Sequence, residues 1–184
     1  KKSDVFAIIT AIIVLIIAIN FGRDLNLLFS SLAVILVVGI NILVKKLVGY
    51  SLGVYVKMKL LSIYRYGFKA HSHFEKPLPL FWVPLFFSLA TSGLFWWLGI
   101  LGFRGIYKPE RVGISSKTKT YPEVTEWHLT LIALSGILAN ILLGFIGFFL
   151  GWSFLTKVSF IYAFWSILPI SDLDGTKIIF GNPF

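Results

Sequence analysis

Two carboxylates close the last long apolar run of the chain, within Ser166-Ile167-Leu168-Pro169-Ile170-Ser171-Asp172-Leu173-Asp174-Gly175. A carboxylate at membrane depth costs of order 2.5–3.5 kcal/mol on insertion scales, which makes it a functional position by default. Pro169 breaks the helix and Gly175 ends the segment, so both acids sit on irregular backbone that must be covered by protein or wet. The plainer reading is that the helix reaches the interface at Ile170 and that Asp172 and Asp174 are solvated flanking residues. A second group with ligand chemistry is His71-Ser72-His73 with Glu75 close by. Its i, i+2 spacing suits a strand, and with His128 and Asp174 it could hold a rebuilt metal site. The neighbours Lys69, Lys76 and Pro77 give the same stretch the composition of a polar loop. No Ser/His/Asp or Cys/His arrangement and no phosphate loop is present. The absence of Cys excludes disulfides and thiolate metal sites.

The C-terminal block resembles the Asn-x-x-Pro-x-x-x-Leu-Asp-Gly signature of the site-2 proteases, a family of intramembrane zinc metalloproteases. In that family the Asp of Leu-Asp-Gly is the third zinc ligand, which maps to Asp174, and Ser166 stands where the family has Asn. One helix earlier, Ser135-Gly136-Ile137-Leu138-Ala139-Asn140 is similar to the family's Ala-Gly-Pro-Leu-Ala-Asn helix start, with Ile137 in place of Pro. The family's zinc site is completed by His-Glu-x-x-His, where two histidines on one helix face bind the metal and the Glu activates its water. Lys46-Leu47-Val48-Gly49-Tyr50-Ser51-Leu52-Gly53 resembles the stretch that follows this motif in archaeal members. That register puts Asn41-Ile42-Leu43-Val44-Lys45 on the motif itself. Asn41 and Lys45 replace the histidines, and Ile42 replaces the general base.

An ammonium at position 45 would repel Zn²⁺, and could pair instead with Asp174. The resemblance therefore implies a catalytically inactive homologue, a pseudoprotease without a cofactor. It would keep the family's helix-accommodating cleft and act as a membrane-embedded scaffold or binding protein for other membrane proteins. The remnant of the site would comprise Asn41, Lys45, Asp174, Asp172 and Asn140. Two alternatives stay open: an active metalloprotease with unconventional ligands, such as Asp174 with His71 and His73, and a small-solute or ion carrier with Lys45 and Asp174 in its pathway. No internal repeat of the kind that builds inverted-repeat transporters is visible.

These residues need elements to position them, and composition says what surrounds those elements. Of 184 residues, 57% are hydrophobic and 14% charged, whereas a soluble domain carries roughly a quarter charged. Too little polar surface remains to coat a globule in water, so lipid must cover part of it. The net charge of +9 is carried by segments between apolar runs, where it reads as topology and headgroup contact rather than nucleic-acid binding.

A crossing helix needs about 20 apolar residues, within about 17–25. Runs 5–21, 27–48, 129–151 and 154–170 are the expected crossings, with Lys157 able to snorkel from the last. The first run lacks a small-residue cleavage site and reads as an anchor. Run 78–103 carries Pro77, Pro79 and Pro84 near its start and is a re-entrant segment or a fifth crossing. Lys45–Lys76 holds seven Lys/Arg against one acid, and Phe103–His128 five against three. A re-entrant 78–103 would leave both basic segments, 45–76 and 103–128, in the cytoplasm as the positive-inside rule prefers. Tyr55, Lys57 and Lys59 alternate with Val56, Met58 and Leu60 in the manner of a strand, and Gly99–Val112 is also strand-like.

The expected fold is thus an all-α polytopic membrane protein forming one membrane domain over 1–184. It has a site-2-protease-like core of four transmembrane helices, a re-entrant or fifth segment and a small β element on the cytoplasmic side. Both termini face the cytoplasm, the location is the plasma membrane, and the partners are lipids and other membrane proteins.

Overall fold

A computed structural model describes residues 2–22, 26–65, 73–107 and 125–181. The elements run α1 (Lys2–Asn20), α2 (Leu27–Ser51), β1 (Val54–Leu60), β2 (Ser62–Arg65), β3 (His73–Pro79), α3 (Val83–Ala90), β4 (Leu101–Tyr107), α4 (Glu126–Phe149), α5 (Ser153–Ile167) and α6 (Asp174–Phe180). The chain is mostly helical. The expected β element takes the form of two antiparallel two-stranded sheets, β1 with β4 and β2 with β3.

α2 and α4 are long and apolar enough to cross a membrane, with 25 and 24 residues. At 1.5 Å per residue each is roughly 36 Å or more in length, against about 30 Å of hydrocarbon. α2 is unbroken because it contains neither Pro nor an unpaired polar start: Asn26 caps it, its Oδ1 accepting the Leu28 N–H at 3.2 Å. The two other helices expected to cross are apolar but shorter, over Asp4–Asn20 in α1 and Ser153–Ile167 in α5. Large apolar side chains stay exposed along the bundle, among them Phe29, Leu43, Leu47, Leu142, Phe145 and Phe149. Inward, Leu15, Val34, Val38, Leu98, Val158 and Tyr162 belong to one core.

Run 78–103 does not form one helix. β3 occupies its start, α3 covers eight residues, and the chain then reverses through Ser92 and Gly93, both at positive φ. Eight residues make a helix of roughly 12 Å, too short to cross. Pro84 is accommodated because it lies in the first turn of α3, where no intrahelical donor is lost.

The route of this excursion can be measured against α1. Asp4 Oδ1 accepts the Met58 N–H at 2.5 Å, and Ser88 Oγ donates to the Ala18 carbonyl at 2.6 Å. Asp4 and Ala18 lie roughly 21 Å apart along the helix axis. Met58 is paired with Phe103 across the β1–β4 ladder. The chain therefore leaves the level of Asp4, reaches the level of Ala18 and returns to where it began.

Candidate functional site

The last apolar helix ends where its sequence says it must. Pro169 cannot donate to the ladder, and it forces Leu168 out of the helical region to φ −65°, ψ 135°. Ser171 then adopts φ 49°, and the Leu173 N–H returns to the Ile170 carbonyl at 3.0 Å. This tight reversal starts α6 at Asp174 and folds it back on the end of α5. Only glycine fits at 175, because a Cβ there would run into the Ile167 carbonyl. The result is a carboxylate delivered into the bundle rather than to its edge.

On the facing helix, Asn41 and Lys45 are one turn apart and share a face. Both are buried, Lys45 being 1% exposed, as is Asp174. Lys45 Nζ donates to Asp174 Oδ2 at 2.6 Å. Asn41 Nδ2 donates to the Gly136 carbonyl of α4 at 3.0 Å. Gly136 makes room for this arrangement: a Cβ there would collide with Cε of Lys45 and lie 3.0 Å from the Asn41 amide nitrogen.

Asp172, grouped above with the remnant site, is turned to different partners. Its carboxylate pairs with Lys59 of β1, and its carbonyl accepts from Lys177 Nζ at 2.6 Å. The physical reason is the extended backbone of Leu173 between the two acids (φ −65°, ψ 168°), after which the chain turns into α6 at Asp174. The buried Phe103 ring lies between the cations, 4.5 Å from Lys177 Nζ and 5.3 Å from Lys45 Nζ. Three lysines thus surround two carboxylates. Burial pushes the Lys177 amine down to about 8, against the pull of Asp174 and Asp172 and with a further push from Lys45 and Lys59.

Several buried polar atoms near these helices have no hydrogen-bond partner among the described residues: Asn41 Oδ1, Asp174 Oδ1, Ser159 Oγ, Thr176 Oγ1 and both amide atoms of Asn140. Asn140 is fully buried one turn beyond Gly136 on α4. Each such atom costs about 1–3 kcal/mol.

A zinc ion does not fit the donors that α2 supplies here. Lys45 has no lone pair when charged and places its ammonium 2.6 Å from Asp174 Oδ2, and the oxygens left over, Asn41 Oδ1 and Asp174 Oδ1, have no histidine beside them on α2. Of the other donor set, His71 lies outside the described residues and His73 is described only as the first residue of β3. His128 shares a 2.7 Å hydrogen bond with Thr125 at the start of α4. Among the described residues no three His, Asp or Glu side chains gather as a metal site would require.

Three neighbours of this centre escape a reading of the sequence, Lys59, Phe103 and Lys177, and so does a buried acid at the head of α1, Asp4. Asp4 is buried, with Oδ1 on the Met58 N–H and Oδ2 3.1 Å from Lys46 Nζ. An acid at the head of an apolar run was the available signal. Comparison with family models, with characterised proteins and with solved structures gives no match.

Proposed function

We propose that the chain is a membrane-embedded, non-hydrolytic relative of the site-2 proteases that serves as a scaffold or binding protein for other membrane proteins. The observation that carries this reading is the Lys45–Asp174 ion pair. An ammonium and a carboxylate meet at the two positions where the resemblance would place metal ligands, and the third such position holds an amide. Ile42 stands on α2 where the resemblance would place the general base, so the family's route to a metal-activated water is missing.

In this reading α1 and α5 cross the membrane beside α2 and α4, and the excursion from Met58 to Phe103 enters and leaves on one side. That side is cytoplasmic because its flanking segments are rich in Lys and Arg. The scaffold role draws support from an apolar groove of about 370 Å³ between α5 and the return limb of the excursion, lined by Leu94, Phe95, Trp96, Ile161, Phe164 and Trp165. A solute carrier is disfavoured, since Lys45 and Asp174 are both 1% exposed.

The test is elemental analysis of protein extracted in mild detergent without chelator, combined with photo-crosslinking from Phe164 in native membranes. The expected result is far less than one zinc per chain and discrete protein adducts. Stoichiometric zinc that disappears in Asp174→Asn would overturn the inactive reading, and adducts to lipid alone would overturn the scaffold role.

A further inference from the structure

Lys157 is the single charged residue of α5 and is exposed, and among the described residues no acid pairs with it. It stands at the rim of the apolar groove between α5 and the return limb of the excursion. Ile161 and Phe164, four and seven residues further on the same helix face, line that groove. Phe154, three residues back on this face, meets the Trp96 ring of the opposite wall edge-on at 5.9 Å. Inside, the Trp165 indole N–H is spent on the Trp96 carbonyl at 2.7 Å. Every residue that lines the groove is apolar, so the ammonium is the polar feature an occupant must answer.

The depth of Lys157 follows from α4. A Cβ on Gly147 would lie 3.0 Å from Oγ1 of Thr156, the residue before Lys157. Gly147 is roughly 27 Å along α4 from Leu129, against about 30 Å of hydrocarbon. In the membrane placement argued above, Lys157 therefore lies near the boundary opposite the basic segments. The positive-inside rule disfavours a cation there, so topology does not account for it. The period of the wall suggests what does. A cation followed at four and seven residues by groove-lining side chains has the spacing at which one helix meets another.

We propose that the groove receives a transmembrane helix of a partner membrane protein whose Asp or Glu pairs with Lys157. Apolar side chains four and seven residues along that helix fill the space beside Ile161 and Phe164. The proposal rests on the scaffold reading above and names the chemistry of its partner.

The test uses synthetic transmembrane helices of about 21 Leu and Ala residues. Each carries Glu, Gln or Lys one turn from its end and is reconstituted with the full chain in phosphatidylcholine nanodiscs. Energy transfer to a dye on Ser116→Cys reports association. A polar contact between membrane helices contributes roughly three- to tenfold in affinity, so the Glu helix should bind tighter than the Gln helix by that factor. The Lys helix should bind most weakly. Lys157→Gln should erase the difference between Glu and Gln, and Lys157→Glu should turn the order in favour of Lys. Phe164→Ala should weaken all three helices and keep their order. Equal binding of the Glu and Gln helices to the wild-type chain, the behaviour of a lysine that only snorkels to lipid phosphate, would overturn the proposal. A Glu preference that survives Lys157→Gln would overturn it too. Should Lys157→Glu lose its thermal transition, Lys157→Arg keeps the charge and should keep the Glu preference; loss there overturns the pairing. Photo-crosslinking from Phe164 in native membranes separates the two readings. Protein adducts together with equal binding of the Glu and Gln helices refute the acidic partner alone, and adducts to lipid alone refute both.

Discussion

Lys45 and Asp174 lie 129 residues apart in the chain, and their charged atoms meet at 2.6 Å in a setting where neither side chain reaches solvent. Such a pair is not strong evidence of net stabilisation, because desolvation offsets most of the attraction. Its signature is asymmetry. Removing one partner strands the other charge, at about 3–5 kcal/mol, whereas removing both can be nearly neutral. Lys45→Met and Asp174→Asn should each lower the thermal midpoint in detergent, and the double variant should recover much of the loss. Additive effects would show that the two residues do not interact.

Gly136 gives a second reading of the same contact. Replacing a helical glycine by alanine ordinarily stabilises by about 0.5–1 kcal/mol. Here the added Cβ would meet Cε of a lysine whose far end is pinned by Asp174. Gly136→Ala should therefore destabilise the wild-type chain by about 1–3 kcal/mol, as overpacking does. In a Lys45→Ala, Asp174→Asn background the same change should become neutral or favourable. Thermal midpoints of the four combinations measure this reversal. The same sign in both backgrounds would mean that Lys45 does not fill the space beside Gly136.

Lys177 predicts a pH dependence. Its amine is held at about 8 in the folded chain, against 10.5 as the ordinary value. Below about pH 8 both states carry the proton, so this group gives no slope. Between about 8 and 10.5 the unfolded state binds more protons, and stability rises with pH. The rise attributable to Lys177, screened by its partial exposure, is roughly 1–3 kcal/mol. Melting curves of the wild type and Lys177→Met from pH 7 to 10 should diverge in the wild type's favour as pH increases. Parallel curves would place the amine at its ordinary value.

How much of this was legible follows from where each signal resides. Asn41 and Lys45 could be put on one face from their spacing alone, and the Leu-Asp-Gly resemblance pointed Asp174 at them. The alternation of Tyr55, Lys57 and Lys59 with Val56 and Met58 read as a strand, and β1 spans Val54–Leu60. The direction of Asp172 was not legible, because it depends on the turn through Ser171 and on the extended Leu173 that parts it from Asp174, and neither residue type dictates its conformation. Nor were Lys59 and Asp4 recognisable as partners of Asp172 and Met58, since nothing local encodes a contact between residues so far apart in the chain. The path of 78–103 was the hardest: apolar periodicity reports burial, and a Pro- and Gly-interrupted run can be equally buried going through or turning back.

That path supplies the last prediction. Met58 and Phe103 are ladder partners beside Asp4, while Ser88, between them in sequence, is bonded to Ala18 at the other end of α1. The Leu61 N–H donates to the Ile100 carbonyl and the Leu80 N–H to the Leu61 carbonyl, both at 2.8 Å. The stretch from Leu80 to Ile100 that carries α3 therefore also starts and ends at one level, and leaves its two flanks on one side of any membrane that α1 crosses. Ser72 and Ser116 belong to the two basic segments on either side of α3, outside the described residues. The chain has no native Cys, so Ser72→Cys and Ser116→Cys each give a single thiol. An impermeant maleimide applied to sealed, oriented vesicles should label both variants from the same face and neither from the other. The positive-inside rule makes that face cytoplasmic, since twelve Lys and Arg fall in the two segments together. Labelling of Ser72→Cys from one face and Ser116→Cys from the opposite one would require the 78–103 run to pass through. It would also break the Met58–Phe103 pairing, because strands of one ladder cannot lie on both sides of the bilayer.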